Sequence, residues 1–439
     1  MSAMAIAPAI PRYGNIKAIR SLIWVSFFLL IFEGFLRMLL PSASNALLVV
    51  RDPVLIAVYV IALLSGVFPW NRYVMMLWLL GAIALVLGFM TIPHAPMVVL
   101  FGFRACFFHV PLMFLMQRVM DENDVVAIGR WFLLLSIPIA ILMAIQFRAG
   151  PDSWLNRGLD MQFKQIDAGT AGKIRPPGTF SYVEGPALFY AFVVAFLLYD
   201  QFQRGRYSKT LVMLASAATC LALAVSISRS ALSMAATVVL AGALAVILAR
   251  PKAVTGLVKF GIVIGIALFF VSQLPVFDEG TQVFSNRISN AGQGEGGLSG
   301  FLNRAFGDFI AGIEAVPRAG ETGVGLGMGT NAGGALTEKQ GTFFGEQESA
   351  RVVLEMGPLV GLTYLAFRVG LAVWLLLICL KCARSGTMLP MLMLGACGFL
   401  IVSGQWGQPT ELGFAAFGGG LCLTAMRKRA PEVGTASVQ

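Results

Sequence analysis

The sequence predicts an all-α polytopic membrane protein, from its composition, the length of its apolar runs and the placement of its cations. Of 439 residues, 57% are apolar and 12% charged, and the mean hydropathy is +0.80. A water-exposed surface needs far more charge than that. A hydrocarbon core of about 30 Å is crossed by about 20 apolar residues in a helix. Twelve runs approach that length: 21–40, 53–70, 73–92, 97–117, 126–147, 182–200, 210–227, 231–249, 257–274, 352–379, 388–404 and 410–426. The expectation is therefore one integral membrane domain over 1–439.

Arg12, Lys17 and Arg20 lead directly into the first full-length run, the pattern of a retained signal anchor rather than a cleaved signal peptide. With the amino terminus in the cytoplasm, the inner connections hold Arg72, Arg118, Arg130, Arg204, Arg206, Lys209, Arg250, Lys252, Lys259, Lys381, Arg384 and Arg427-Lys428-Arg429. The short outer connections hold Arg51 and Arg229. This bias expects both termini in the cytoplasm. The net charge of +10 sits mostly beside span ends, where anionic lipid rather than nucleic acid is the nearest partner. None of the six cysteines falls in a long outer loop, so no disulfide framework is expected, and Cys379-Cys382 reads as two reduced thiols at a helix end.

Two connections are too long to be turns, 148–181 and 275–351, and both fall outside the cytoplasm in this topology. Function is expected there. The second holds 17 glycines between 280 and 345, a backbone able to approach a ligand closely. Apolar residues from Phe301 to Val316 recur at helical spacing until Pro317, predicting an amphipathic helix near 301–316 that lies on the membrane surface or closes over the bundle. The loops contain arginines and acids but no histidine and no Asp-x-Asp motif. Chemistry there is expected to need no metal and no cofactor, with fixed guanidinium groups holding a phosphate leaving group.

Three segments carry a resemblance. Arg175-Pro-Pro-Gly178-Thr179-Phe180 leads through Ser181 to Glu184, Ser228-Arg229-Ser230-Ala231-Leu232 sits at an outer turn, and a stretch from Arg304 through Pro317 and Gly323-Val-Gly325-Leu-Gly327 reaches Glu355-Met-Gly357 and Gly361. Their order, spacing and common side resemble the O-antigen ligase and polymerase superfamily of bacterial surface-polysaccharide assembly, over roughly residues 150–380. The resemblance implies a metal-independent, inverting, GT-C type glycosyltransferase in a bacterial inner membrane, working on the periplasmic side with an undecaprenyl-diphosphate-linked glycan as donor. Arg175 and Arg229 match the family's motif positions and would bind the pyrophosphate. Arg351 and Arg104 are further candidates by proximity. Where the family places a histidine-asparagine pair, nine residues before the glutamate matching Glu355, this chain has Glu346-Gln347 followed by Glu348. Either Glu346 or Glu348 then takes the proton of the acceptor hydroxyl, or the mechanism needs no strong base. The asparagine of the first motif is also absent, with Glu184 and Gly185 in its neighbourhood.

Loss of the histidine favours a polymerase, beside a flippase and a chain-length regulator, over a ligase that hands glycan to lipid A-core or another acceptor. Glu33 and Arg37 are four apart and expected to pair on one helix face. Arg104, His109 and Arg368 also fall at membrane depth, where charge is expensive and points inward. An internal ion-pair network and a reach of Arg104 to the pyrophosphate both remain open, with His109 as a helix-contact residue. Gln405, Gln408 and Glu411 read as a solvated turn or an acceptor-sugar contact. From other classes, twelve spans with both ends inside also suit a transporter or flippase, and a scaffold protein is the third reading.

Overall fold

The computed structural model describes residues 13–149, 153–156, 174–203, 205–226, 228–249, 307–330 and 347–427. The ninth apolar run at 257–274, most of the first long loop, the start of the amphipathic helix and Glu346 lie outside them. Among the described residues the regular elements are helices: α1 Tyr13–Leu39, α2 Arg51–Leu64, α3 Arg72–Thr91, α4 Pro96–Phe103, α5 Pro111–Val119, α6 Glu122–Arg148, α7 Gly185–Phe202, α8 Lys209–Val225, α9 Arg229–Ala249, α10 at 307–315, α11 Glu348–Arg384, α12 Leu389–Ser403 and α13 Pro409–Ala425. Eleven of the twelve apolar runs coincide with this helical structure. Among the described residues six helices are long and apolar enough to cross a membrane, or seven if the bent pair Pro96–Phe108 plus Pro111–Val119 is one span. The protein is an all-α membrane protein.

Helix starts follow local chemistry. The Asn71 side chain accepts from Val74 N at 3.0 Å, Asp121 and Asp124 form a reciprocal capping box at the start of α6, and Ser208 accepts from Leu211 N at 3.3 Å. Proline opens α4, α5, α7, α12 and α13, where a missing N–H is harmless.

The helices alternate between two ends of the bundle. At the near end Arg20 on α1 donates to Val119 O and lies 3.5 Å from Asp124, while Arg427 after α13 donates to Arg118 O at 3.0 Å. The first and last described helices therefore grip the same exit of α5. Arg37, Arg51, Arg104, Glu348 and Glu411 lie at the far end in the contacts described below, with Glu184 an electrostatic neighbour of Glu411.

Backbone that leaves helical geometry inside such a bundle must find internal partners. Between α4 and α5 the chain makes a π-turn over Arg104–Phe108. Two of its carbonyls, Phe108 O and Cys106 O, accept from Tyr59 OH at 2.9 Å and Tyr364 OH at 2.8 Å. In α11 Gly357 takes φ +77° just before Pro358, which has no N–H to donate. The freed carbonyls of Leu354 and Glu355 accept instead from Val324 N at 2.8 Å and Gly325 N at 3.3 Å.

That arrangement requires glycine. A Cβ on Gly327, at φ +89°, would stand 2.1 Å from Val98 O. One on Gly102, in the facing helix, would stand 2.4 Å from Gly327 N. Gly327→Ala combines backbone overlap with a left-handed φ and is expected to destabilise the protein by about 2 kcal/mol or more. Thermal unfolding in detergent measures it, and an unchanged melting temperature would refute this account of the glycine strip.

Candidate functional site

The segment 174–184 is held in place from several sides. Gln146 near the end of α6 grips Gly178 twice, Oε1 accepting from Gly178 N at 2.9 Å and Nε2 donating to Gly178 O at 3.2 Å. Phe35 N donates to Thr179 O at 2.9 Å, and Thr179 Oγ1 donates to Ile31 O at 2.8 Å. Gly34 lets α1 touch this backbone, since a Cβ there would lie 2.1 Å from the Phe180 carbonyl carbon. Arg175 thus projects from a fixed loop. Its electrostatic neighbours are Glu184 and Arg229, so charges from two separate parts of the chain act on one another here. Partial burial lowers the Arg175 pKa from its ordinary value, Glu184 opposes that shift and Arg229 adds to it. A guanidinium starts high enough to stay charged. Arg175 Nε is buried without a hydrogen-bond partner.

A second group forms where α11 begins. Arg351 donates to Glu348 at 2.7 and 2.9 Å and to Glu355 at 2.8 Å. Glu348 also accepts from Arg368 Nη1 at 3.1 Å and Trp406 N at 3.2 Å. Glu355 reaches across to the glycine strip, accepting from Gly327 N at 3.1 Å and Gly329 N at 2.8 Å. Arg368 is 0% exposed and closes the end of α12, donating to Ile401 O at 2.9 Å and Gly404 O at 2.8 Å, with its guanidinium 4.0 Å over the Trp406 ring. Asp308 on α10 caps α11 from outside, accepting from Ser349 N at 3.0 Å and Ser349 Oγ at 2.5 Å.

A third group links α1, α2 and the π-turn. Arg51 Nε lies 3.4 Å from Glu33 Oε2, Arg104 pairs with Asp52, and His109 Nε2 lies 3.4 Å from Asp52 Oδ1. Arg51 also donates to Pro409 O, two residues before Glu411. Glu411 is buried and accepts from Gln405 N, so this turn is not the solvated one that its polarity suggested.

The expected site residues therefore separate. Arg175 and Arg229 lie within electrostatic reach of each other. Glu348, expected as a base, instead has two guanidinium groups and an amide on its carboxylate, the environment of a counter-ion. Arg351, expected at the pyrophosphate, is held between Glu348 and Glu355, and Arg104 is held by Asp52. Glu33 pairs with Arg51 rather than with Arg37, whose Nε donates to Ser44 O at 3.1 Å and whose Nη1 donates to Ser181 Oγ at 3.1 Å. The reason is Arg51 itself, 2% exposed and in need of a counter-ion that the serines spare Arg37. Asp52, Asp308 and Trp406 were missed, and the only sequence signal for Asp52 was an Arg-Asp-Pro string at the head of an apolar run.

Breaking the central pair by Arg351→Met leaves two buried carboxylates short of charge and is expected to destabilise the protein by about 3–5 kcal/mol. A melting temperature within error of the parent, followed by intrinsic fluorescence in detergent, would contradict it. Comparison of the chain with known proteins finds no matching family model and no matching curated sequence.

Proposed function

We propose that the protein is a glycosyltransferase that polymerises polyprenyl-diphosphate-linked oligosaccharide repeat units at the periplasmic face of a bacterial inner membrane. The observation that carries this reading is that Arg175 has Arg229 and Glu184 as electrostatic neighbours, with Arg175 Nε unsatisfied. Two guanidinium groups within electrostatic reach of each other, with one carboxylate to offset them, favour a bound anion, and a diphosphate offers oxygens in the paired geometry that guanidinium matches.

In this reading the chain spans the bilayer twelve times with both termini inside, and the far end faces outward. The acceptor hydroxyl attacks the anomeric carbon, the bond from that carbon to the pyrophosphate oxygen breaks, and polyprenyl diphosphate leaves with the charge that Arg175 and Arg229 stabilise. With Glu348 engaged as a counter-ion, Glu346 is the acid that takes the hydroxyl proton. The side chains supply this chemistry without a metal or cofactor. Glu346-Gln347, standing where the resembled ligases have histidine, favours a growing glycan as acceptor over lipid A-core, and a flippase and a chain-length regulator as partners.

Purified protein given polyprenyl-diphosphate glycan is expected to release free polyprenyl diphosphate. Arg175→Lys and Arg229→Lys keep the charge but lose the paired contact, and each is expected to slow release about 10- to 100-fold, the effect of about 1.4–2.7 kcal/mol. Glycan crossing the bilayer with no diphosphate released would identify a transporter instead. Full turnover in both lysine variants would end the pyrophosphate assignment.

A further inference from the structure

In an α-helix each N–H donates to the carbonyl four residues back, the relation in which Phe35 N stands to Ile31 O in α1. Both of these groups bond to a single residue from outside the helix, Thr179: Phe35 N donates to its carbonyl at 2.9 Å, and its Oγ1 donates to Ile31 O at 2.8 Å. Gly34 leaves room for this, because a Cβ there would stand 2.1 Å from the Phe180 carbonyl carbon and 2.2 Å from Ser181 N. Further along α1, Arg37 Nη1 donates to Ser181 Oγ at 3.1 Å, and its Nε is itself held by Ser44 O and Ser44 Oγ, each at 3.1 Å. Residues 179–181 are thus laid along α1 between Ile31 and Arg37.

The residue before them, Gly178, is held through both its N–H and its carbonyl by Gln146 of α6. Both α1 and α6 are long and apolar enough to cross a membrane, so the stretch 178–181 is pinned to two spans rather than to other loops. Thr179 and Ile31 are buried. A buried backbone carbonyl that loses its donor is left unpaired, so the Thr179 hydroxyl is costly to remove. Arg175 stands three residues before the pinned stretch and Glu184 three residues after it. Fixing 178–181 therefore limits how far either charge can move, and with it the distance over which Arg175 and Arg229 act on one another.

We infer that Thr179 and Ser181 are positioning residues for the anion site: they engage α1, not the ligand, and hold the Arg175 guanidinium where a diphosphate can bind it together with Arg229. This rests on the pyrophosphate reading of those two arginines and adds the side chains through which the first span controls them. Arg37 takes part as the anchor of Ser181.

The test uses the full chain in detergent, with farnesyl diphosphate as the probe in calorimetric titration and hydrogen exchange of the α1 peptide that contains Phe35 as the local readout. Thr179→Val keeps the shape and removes the hydroxyl. It is expected to weaken probe binding about tenfold, the loss of one buried hydrogen bond, and to speed exchange in the Phe35 peptide. Thr179→Ser keeps the hydroxyl and is expected to bind and exchange as the parent does. Ser181→Ala removes the side-chain acceptor of Arg37 and is expected to weaken the probe about threefold or more; it decides the matter should the valine variant fail to fold. Where the parent binds the probe, parent-like affinity in the valine or the alanine variant overturns the positioning role of the residue concerned, even if its melting temperature falls, because a purely structural role predicts that result. A parent that does not bind the probe, or an Arg175→Lys variant that binds it as tightly as the parent, refutes the pyrophosphate reading and the positioning role with it.

Discussion

A guanidinium sealed inside a helix bundle is stable only if fixed anions surround it, and Arg351 has two of them one helical turn to either side. Those acids in turn determine what else can happen around α11. Glu348 draws in Arg368 and the Trp406 amide, and through Arg368 the open carbonyls at the end of α12. Glu355 draws in two amides of the glycine strip. Four stretches of chain distant in sequence thus depend on one cation. Removing it would leave Glu355 with only backbone amides and Glu348 with Arg368 alone, so the group behaves as a single unit rather than as a sum of pairs.

The same requirement of internal satisfaction explains the irregular backbone. A straight helix needs nothing from its neighbours, but the π-turn at Arg104–Phe108 and the break at Gly357-Pro358 free carbonyls that lipid cannot solvate. Tyr59, Tyr364 and the amides of Val324 and Gly325 supply the missing donors. Close approach makes this possible, and glycine makes the approach possible, which is why Gly323 and Gly327 of the second long loop stand directly against the backbone of other segments. On the opposite side of that loop, α10 packs Gly312 and Ala315 inward and leaves Ile310 and Ile313 48% and 66% exposed, a face suited to lipid.

Apolar runs were sufficient to locate most of the described helices because their period and length depend only on local composition. The breaks were harder to see. Residues 97–117 read as one span, because nothing in Phe-Arg-Ala-Cys-Phe-Phe-His announces a π-turn whose stability comes from tyrosines far away in sequence. Partners of buried charges failed for the same reason. Glu33 has a helical neighbour at the right spacing in Arg37, yet it pairs across helices with Arg51, because the choice is settled by what else each arginine can reach. The glycine motif and Glu355 were visible as a likeness, but that the carboxylate caps the strip's own amides could be learned only in three dimensions.

The length of α11 has a mechanical corollary. Thirty-seven residues at 1.5 Å each would make a rod of about 55 Å, well beyond a hydrocarbon core of about 30 Å. The bend at Gly357 divides it into a long membrane arm and a lever of fewer than three turns that carries Glu348, Arg351 and Glu355. The lever is fastened to the glycine strip through Val324, Gly325, Gly327 and Gly329 and to α10 through Asp308, and to its own continuation through the left-handed Gly357 and the bond from Arg368 to Glu348. A push on the strip would therefore reach the membrane arm through two points, the joint and the buried charge pair.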